Sequence, residues 1–292
     1  MGASKIVPAP SSESTQLYIE LMKRVLTDSV YIDSPLSHVI PYRPKAFTPY
    51  WKRTLIAALQ AVLAKFQVIL VEPEKTWGNR ENDRLLGRDW PARAHTMIGM
   101  KRLENLQYCV ETVMRDAVPG DLIETGVWRG GACIFMRALL KAYGDLERRV
   151  WVADSFQGLP PPNVSTYGAD AGDKHHTFDF LAVSREQVEQ NFSKYDLLDA
   201  QVQFLPGWFT DTLASAPIER LSVLRLDGDM YESTIQALEA LYDRLSPGGF
   251  VIVDDYELKP CAQAVHDFRA ARGLQEDIQD IDGWGAYWRR AL

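Results

Sequence analysis

Cysteine is scarce in this chain, and its arrangement excludes two classes of protein. The three cysteines, Cys109, Cys133 and Cys261, are odd in number and far apart. They provide neither the disulfide framework of a small secreted domain nor the paired spacing of a zinc site. Because disulfides are rare where thiols are kept reduced, this usage favours the cytoplasm, and we expect that location.

Positive charge is also in short supply. Lysine and arginine number 32 against 39 aspartate and glutamate residues, which gives a formal net charge of −7. Proteins that bind nucleic acid carry a basic surface because they neutralise phosphates. Nucleic acid is therefore not expected as a partner, and the 46% apolar content is typical of a globular protein.

Long uninterrupted apolar runs are missing as well. The longest apolar stretch, residues 54–73, contains Gln60, Lys65 and Gln67, so it is a poor candidate for a membrane span. The start of the chain, MGASKIVPAPSSES, lacks the apolar core of a signal peptide. Helical spacing within 54–73 puts the apolar residues on one face, which predicts a helix packed on the body or on a second subunit. A helix lying on a membrane surface is the alternative.

The organisation of the chain changes near residue 90. Residues 1–90 combine short helical patterns with a proline-rich span and are expected to form a helical extension or lid with oligomer contacts. Residues 91–292 alternate strand-like and helix-like runs, as in one α/β domain. Strands are predicted at 121–128, 148–156, 202–208, 221–227 and 250–256, and two more within 277–290.

This pattern predicts a mostly parallel seven-stranded sheet. The first five strands are rich in valine and isoleucine without strict alternation, which indicates a sheet covered by helices on both faces. The last two surround a glycine-containing turn and predict an antiparallel hairpin at the C-terminus.

Carboxylates follow two of these strands. Asp227 and Asp229 come directly after the fourth strand, and Asp254 and Asp255 end the fifth. Ligands of such sheets bind at the carboxyl ends of the strands. Adjacent buried carboxylates are costly without a cation or a proton, so an ordinary polar loop at Asp254 and Asp255 is a weak alternative to a ligand site.

A glycine is missing from the turn after the first strand. The turn, ETGVWRGG from Glu124 to Gly131, is followed by a helix, but a dinucleotide site needs G-x-G-x-x-G, and its second glycine position is Trp128. The pyrophosphate of NAD or FAD is therefore not expected here. A nucleoside without phosphates would fit, and Asp154, at the end of the second strand, is suitably placed to accept hydrogen bonds from ribose hydroxyls.

Several ordered motifs resemble those of the macrocin O-methyltransferase family. They are ETGVWRGG, VADSFQGLPPP, LRLDGDMYES, LSPGGFVIVDDY and HTMIGMKRLENLQ, and they cover about residues 88–290, with a weaker match at 17–28. The resemblance implies a Rossmann-like class I methyltransferase fold. It also implies an enzyme that uses S-adenosylmethionine and Mg²⁺ to methylate sugar hydroxyls of glycosylated natural products such as macrolides and aminocoumarins. The segment at about 33–75 departs from the compact members of the family.

The resemblance also assigns roles to individual residues. Asp227, Asp254 and Asp255 match the metal ligands, and Asp229 matches the general base of members with the LDGD pattern. In place of the histidine that other members have three residues after the first aspartate, this chain has Met230. The residues expected to hold S-adenosylmethionine are Thr96, Met97, Glu124, Thr125, Gly126, Asp154, Ser155, Gly207 and Trp208.

Alternatives remain open for the function and for single residues. A metal-dependent phenol or catechol methyltransferase would use the same three aspartates, whereas a sugar oxidoreductase would need an NAD site. Trp208 would otherwise be a core aromatic residue, and Asp229 a carboxylate at a helix start. Arg225, a charge inside the fourth strand, is expected to pair with a carboxylate across the sheet.

The insertion at residues 167–180 is rich in glycine and aspartate, which suits a mobile lid. His175 and His176 lie in it, but neighbouring side chains point apart in most conformations, so a contact with substrate or plain exposure is preferred to a metal site. His95 is expected to have a structural role.

Overall fold

The computed structural model describes residues 12–30, 39–41, 49–73, 80–89 and 93–292. Its centre is a seven-stranded sheet. The strands are β3 (Asp121–Thr125), β4 (Val150–Asp154), β5 (Val202–Pro206), β6 (Leu221–Leu226), β7 (Leu245–Val253), β8 (Gln279–Asp280) and β9 (Ala286–Arg289). A separate antiparallel pair, β1 (Val39–Pro41) and β2 (Val71–Pro73), lies in the N-terminal region.

The order of the strands across the sheet is β5-β4-β3-β6-β7-β9-β8. The pairs from β5 to β7 are parallel, and β7–β9 and β8–β9 are antiparallel. The predicted mostly parallel sheet with a C-terminal hairpin is therefore confirmed. From β3, successive strands are added first on one side, as β4 and β5, and then on the other side, as β6 and β7. The carboxyl ends of β3, β4 and β6 therefore flank the switch point where ligands of such sheets bind.

Helices cover both faces of the sheet, as the buried, β-branched strands require. They are α1 (Glu13–Leu26), α2 (Tyr50–Lys65), α3 (Arg80–Leu85), α4 (Met100–Arg115), α5 (Gly131–Ala142), α6 (Arg185–Ser193), α7 (Phe209–Thr212), α8 (Tyr231–Leu241) and α9 (Lys259–Arg272). Apolar residues of α1, α4 and α5 pack on one face, and those of α8 and α9 on the other. Two signals mark α9, a proline in its first turn and Gly273 at its C-cap with φ of +64°.

Helix α2 differs from the other long helices because it buries none of its side chains against the described part of the chain. Leu55 and Phe66 are 61% and 73% exposed. The predicted helix is present, but the prediction that it packs on the body is wrong for this single chain, and packing on a second subunit stays a prediction. The proline-rich span of the extension lies largely outside the described residues. In the described part of the chain, no helix has the length and apolar character needed to cross a membrane.

Candidate active site

Two neighbouring cavities open at the carboxyl ends of β3, β4, β6 and β7. The first, here called the turn cavity, has a volume of about 390 Å³. That size suits a small organic ligand. Its wall contains Thr96, Met97, Glu124, Gly126, Val127, Trp128, Asp154, Ser155, Trp208, Phe209, Asp227 and Asp229.

A close approach of two chain segments shapes the turn cavity. Gly126 directly follows β3 and has φ of +84°, and a Cβ atom at this position would lie 1.7 Å from the carbonyl oxygen of Asp227. The backbone N–H of Asp227 in turn donates to the carbonyl of Thr125 at 2.9 Å. Only glycine fits such a contact in a left-handed conformation, so the turn after β3 and the end of β6 are locked together.

Asp154 closes the same cavity from β4. Its two carboxylate oxygens accept hydrogen bonds from the backbone N–H groups of Val127 and Phe156, each at 2.7 Å. Burial raises the pKa of Asp154, and these bonds oppose the rise. Each carboxylate oxygen has a second lone pair, so Asp154 can still accept a hydrogen bond from a ligand.

Two of the residues predicted to hold the cofactor are not on the wall. Thr125 is buried within β3, and the N–H of Gly207 donates to the carbonyl of Asp154 at 2.9 Å. Trp208 is half-buried and lines the cavity, so it is not a plain core residue. Trp128, whose position excluded a dinucleotide, donates its indole N–H to the carbonyl of Phe180 at 2.9 Å. The insertion is thereby attached to the rim of the turn cavity.

The second cavity, here called the carboxylate cavity, has a volume of about 400 Å³. Its wall contains Leu86, Arg88, Met97, Arg102, His175, Phe178, Phe180, Leu181, Asp227, Asp229, Asp254, Asp255, Leu258, Asp282 and Trp284. Asp227, Asp229 and Met97 line both cavities. A reaction between two ligands, one in each cavity, would therefore take place beside Asp227 and Asp229.

Three carboxylates converge where the cavities meet. Asp227, Asp254 and Asp255 each offer one oxygen, and these oxygens lie within 4.8 Å of one another. In the described part of the chain this is the one group of its kind, and it does not include His175 or His176. The arrangement brings together the three residues predicted to bind a metal.

Arg225 lies beneath this group, and its side chain is fully buried in β6. The guanidinium contacts Asp227 Oδ2 at 2.7 Å and makes ion pairs with Glu124 and Asp254. The expected pairing across the sheet is confirmed, and it involves the strand on either side. The second oxygen of Glu124 accepts from the thiol of Cys133 at 2.9 Å.

A second guanidinium reaches Asp254 from α4. Arg102 is 7% exposed and pairs with the second oxygen of Asp254 and with Asp282, the latter at 3.1 Å. The other oxygen of Asp282 accepts from the backbone N–H groups of Trp284 and Gly285. Arg102 thus connects Asp254 to the C-terminal hairpin.

Asp255 differs from Asp254 in having no cationic side chain within ion-pair distance among the described residues. Its Oδ2 accepts the backbone N–H of Asp229 at 3.1 Å. Burial, followed by the nearby charges of Asp229 and Asp227, raises the pKa of Asp255 well above its usual range. A carboxylate in this position is stabilised by a proton or by a cation.

Asp229 lies between the two cavities with φ of +58°. Burial and then the charge of Asp227 raise its pKa to about 7. The backbone N–H groups at the start of α8 are bonded by Asp170, which accepts from Tyr231 and Glu232 at 2.7 and 3.0 Å. The insertion is thereby anchored to α8 through Asp170, and the alternative that Asp229 is stabilised by the dipole of this helix stays open.

The two histidines of the insertion have different surroundings. His175 lines the carboxylate cavity, and its Nδ1 lies 2.6 Å from Asp173 Oδ2, whereas His176 is exposed. His95 lies outside both walls, and its Nδ1 is 2.5 Å from the hydroxyl of Tyr195. Burial is the main reason that the pKa of His95 falls to about 4.

Sequence reasoning missed several residues of the carboxylate cavity. Arg102 lies within a quoted motif but looks like the solvated face of an amphipathic helix. Asp282 and Trp284 look like ordinary residues of a hairpin turn, and Phe178 and Phe180 like apolar residues of an insertion. The exclusion of Arg102 and Asp282 from solvent is a tertiary effect that a local pattern does not carry.

Comparison with known proteins identifies one family. Residues 15–290 match the family described as Macrocin-O-methyltransferase (TylF). A curated relative from Streptomyces olivaceus, 8-demethyl-8-(2,3-dimethoxy-alpha-L-rhamnosyl)-tetracenomycin-C 4'-O-methyltransferase, is 50% identical over 96% of this chain and 94% of its own length. Mycinamicin III 3''-O-methyltransferase from Micromonospora griseorubida is 46% identical over 96% of this chain and 98% of its own length.

A solved structure is similar over almost the whole chain. The O-methyltransferase NovP is 46% identical, with a TM-score of 0.78 over 95% of this chain and 100% of that one. The family match begins at residue 15, so the resemblance extends well N-terminal to the expected start near residue 88.

Proposed function

We propose that this chain, which belongs to the macrocin O-methyltransferase family, methylates a sugar hydroxyl of a glycosylated natural product with S-adenosylmethionine as the methyl donor and with the help of Mg²⁺. One observation carries the proposal. The three converging carboxylates lie where the turn cavity meets the carboxylate cavity, so a donor in the first and an acceptor in the second would meet beside them.

The acceptor class is supported by the relatives and by the shape of the second cavity. The two curated relatives are named for a rhamnosyl-tetracenomycin and for mycinamicin III. Here the carboxylate cavity has polar oxygens at its floor and the half-exposed aromatic rings of Phe178, Phe180 and Trp284 at its wall. This combination suits a sugar that enters with a larger apolar group attached.

The residues of the turn cavity suit the donor. Asp154 is placed to accept from ribose hydroxyls, and Glu124 offers a buried carboxylate near the start of α5. Met97 and Trp208 belong to the apolar part of the wall, and Thr96 adds a hydroxyl group to it. Held in this way, the methyl carbon would be aligned with the acceptor oxygen, and such positioning supplies much of the acceleration of a displacement reaction.

The donor set at the junction of the cavities fits a hard divalent cation. Around it, two guanidiniums, those of Arg102 and Arg225, pair with four carboxylates, those of Glu124, Asp227, Asp254 and Asp282. Two more buried carboxylates, those of Asp229 and Asp255, lie beside them. Negative charge is therefore in excess, and Asp255 has no cationic partner of its own among the described residues. Oxygen ligands are those that Mg²⁺ prefers.

Asp227, Asp254 and Asp255 would hold the cation. When bound, a divalent cation lowers the cost of removing a proton from a hydroxyl group, which is a very weak acid. Asp229 would accept that proton, because it faces both cavities and its pKa of about 7 is close to neutral pH. No covalent intermediate with the enzyme is needed.

Thermal unfolding with S-adenosylhomocysteine tests the proposal. At a ligand concentration about 100 times Kd, the fold gains about 2.7 kcal/mol, which should raise Tm by roughly 5–10 °C. We expect this shift without metal, and a further rise when Mg²⁺ is added. Asp255→Asn is the matched variant, because it keeps the shape of the ligand but removes its charge. It should keep the first shift and lose the second.

The same samples distinguish the alternatives. A shift with NAD⁺ instead of S-adenosylhomocysteine would contradict the assignment of the turn cavity. Equal Mg²⁺ shifts in the wild type and in Asp255→Asn would contradict the metal ligands. Turnover of simple catechols but of no glycosides would replace the sugar acceptor with a phenolic one.

The setting of the enzyme is part of the proposal. We infer that it works in the cytoplasm and as an oligomer of two or more subunits. The three free, buried cysteines agree with a reducing compartment. The exposed apolar residues of α2, among them Leu55, Leu59 and Val62, would contact a second subunit.

A further inference from the structure

We propose that Arg225, assisted by Arg102, is a positioning residue that holds Asp227 and Asp254 in place to bind the divalent cation. This inference rests on the proposed function of the three carboxylates. Arg225 lies outside both cavity walls and would touch neither the donor nor the acceptor, whereas Arg102 also lines the carboxylate cavity. Neither arginine would be a ligand of the cation.

The contacts of Arg225 place it between the carboxylates of three adjacent strands. One of its terminal nitrogens lies between Glu124 of β3 and Asp227 at the end of β6, and the other faces Asp254 at the end of β7. The side chain is 1% exposed. A planar guanidinium offers several N–H groups in a fixed fork, so it fixes the three carboxylates relative to one another, while its single charge offsets only part of theirs.

Repulsion between the carboxylates explains why they need to be held in place. The guanidiniums of Arg225 and Arg102, which hold them, are here called the frame. The oxygens of Asp227, Asp254 and Asp255 lie within 4.8 Å of one another, and like charges so close together, away from water, push each other apart. Without the frame, we expect Asp227 and Asp254 to rotate toward water or to take up protons. Either change removes a ligand before the cation arrives.

Arg102 completes the frame on the other side of Asp254. Arg225 contacts one oxygen of this carboxylate, and Arg102 contacts the other. The orientation of the Asp254 carboxylate is thus fixed by a contact at each of its two oxygens. Each oxygen keeps a second lone pair that is available to the cation. Partners that orient metal ligands in this way are worth roughly 10- to 100-fold in metal affinity or activity.

Electrostatics and positioning make opposite predictions for this site. If Arg225 acted through its charge alone, it would repel the cation, and Arg225→Met would tighten Mg²⁺ binding while Arg225→Lys would change little. If Arg225 acts by positioning, both substitutions weaken Mg²⁺ binding, because lysine keeps the charge but loses the fork. The sign of the change therefore identifies the mechanism.

Isothermal titration with Mg²⁺ in the presence of saturating S-adenosylhomocysteine makes the measurement without requiring turnover. The bound ligand also stabilises variants that fold poorly. We expect Kd for Mg²⁺ to rise about 10-fold or more in Arg225→Lys and in Arg225→Met.

Arg137→Lys is the matched control. Arg137 is 4% exposed and makes three hydrogen bonds to Asp199, two from its Nε at 3.0 and 3.2 Å and one from a terminal nitrogen at 2.6 Å, but it lies outside both cavity walls. Its substitution should lower Tm without changing Kd for Mg²⁺. This control distinguishes the general effect of replacing a buried arginine from the specific effect of losing the contacts of Arg225 with the carboxylates.

Arg102→Lys keeps the test decisive if the Arg225 variants do not fold. Its expected effect is a several-fold rise in Kd for Mg²⁺, because one contact of Asp254 is lost. An unchanged Kd in the variants that fold, or tighter binding in Arg225→Met, would overturn this inference and leave the metal ligands standing. A wild-type protein that binds S-adenosylhomocysteine but not Mg²⁺ would overturn both the metal site and the inference.

Discussion

The turn cavity and the carboxylate cavity share a wall but are built by different means. The turn cavity is shaped mainly by backbone, through the left-handed Gly126, the N–H groups that hold Asp154, and the short segments that follow β3, β4 and β5. The carboxylate cavity is made by side chains from far apart in the chain, including Arg102 of α4, Phe178 of the insertion and Trp284 of the hairpin.

The difference shows how each cavity depends on sequence. Backbone turns at strand ends leave a local record of glycines and capping residues. A set of charged side chains that pair with one another produces no local sequence motif, because the tertiary fold decides which residues become partners. Substitutions in the turn cavity should therefore affect donor binding by changing the backbone conformation. Substitutions in the carboxylate cavity should affect the reaction by changing the charge.

The largest expected effect separates the two cavities. Asp229→Asn removes the proposed base but keeps the shape of the side chain, and asparagine tolerates the left-handed conformation at φ of +58°. We expect kcat to fall about 10²- to 10⁴-fold. Affinity for S-adenosylhomocysteine should change by less than about tenfold, the equivalent of roughly one hydrogen bond. Steady-state kinetics and titration calorimetry on the same samples provide both values.

A kcat within threefold of the wild type would remove Asp229 from the mechanism. A large loss of affinity for S-adenosylhomocysteine would instead mean that Asp229 serves the donor, since it lines the turn cavity too. In that case the assignment of donor binding to the turn cavity and of the reaction to the carboxylate cavity would not hold for Asp229.

The next largest expected effect comes from a substitution that should impair both cavities at once. Gly126→Ala places a Cβ atom against the carbonyl of Asp227, a residue that lines both cavities. The left-handed backbone costs about 1–2 kcal/mol for alanine, and the overlap should add roughly 1–3 kcal/mol. We expect the free energy of unfolding to fall by about 3 kcal/mol, and affinities for both S-adenosylhomocysteine and Mg²⁺ to fall at least tenfold.

Gly144→Ala is the control for this prediction. Gly144 has φ of +69°, but nothing lies within 4 Å of the position of its added Cβ. The variant should lose only the stability that the left-handed backbone costs alanine, and its affinities for S-adenosylhomocysteine and Mg²⁺ should not change. Equal losses of stability in the two variants, measured by denaturant unfolding, would show that the contact between Gly126 and Asp227 is not tight in solution.

Most of the sheet could be predicted from the sequence because its strands are apolar, rich in valine and isoleucine and bounded by turn residues. The C-terminal hairpin and the meeting of Asp227, Asp254 and Asp255 follow from where the strands end, whereas the order of the strands across the sheet does not. Thr125 and Gly207 belong to the right turns but do not face the cavity. A turn motif indicates the neighbourhood of a ligand, and which atoms face it depends on the exact dihedral angles.

The partners of Arg225 and the position of Arg102 show where prediction stops. A single charge within an apolar strand indicates a buried ion pair, but the identity of the partner depends on strand order and register. In the fold, Arg225 lies opposite Glu124 of β3 and Ile252 of β7, and this register brings Asp254 within its reach. Arg102 comes from a helix that the sequence presents as amphipathic, so its burial against Asp282 requires the folded hairpin.

The smallest expected effect concerns pH, to which the buried carboxylates of the cavities and the nearby His95 should respond in opposite directions. Burial raises the pKa of Asp229 to about 7, so the folded state binds a proton more tightly there, and that contribution to stability is lost as pH rises toward 7. His95 lies behind the turn cavity, next to Thr96, and its pKa is lowered to about 4 from an ordinary 6.5. Its contribution is complete above pH 6.5 and is lost as pH falls toward 4.

A comparison of the wild type with His95→Gln isolates the second response, because every other group titrates in both proteins. From pH 7.5 to pH 5, the wild type should lose about 1 kcal/mol relative to the variant, after a roughly twofold allowance for the partial exposure of His95. This corresponds to a relative change in Tm of about 2–4 °C. If the difference in Tm between the two proteins were the same at both pH values, His95 would take up its proton as readily in the folded chain as in the unfolded one. The pH response of this region would then come from the carboxylates of the two cavities alone.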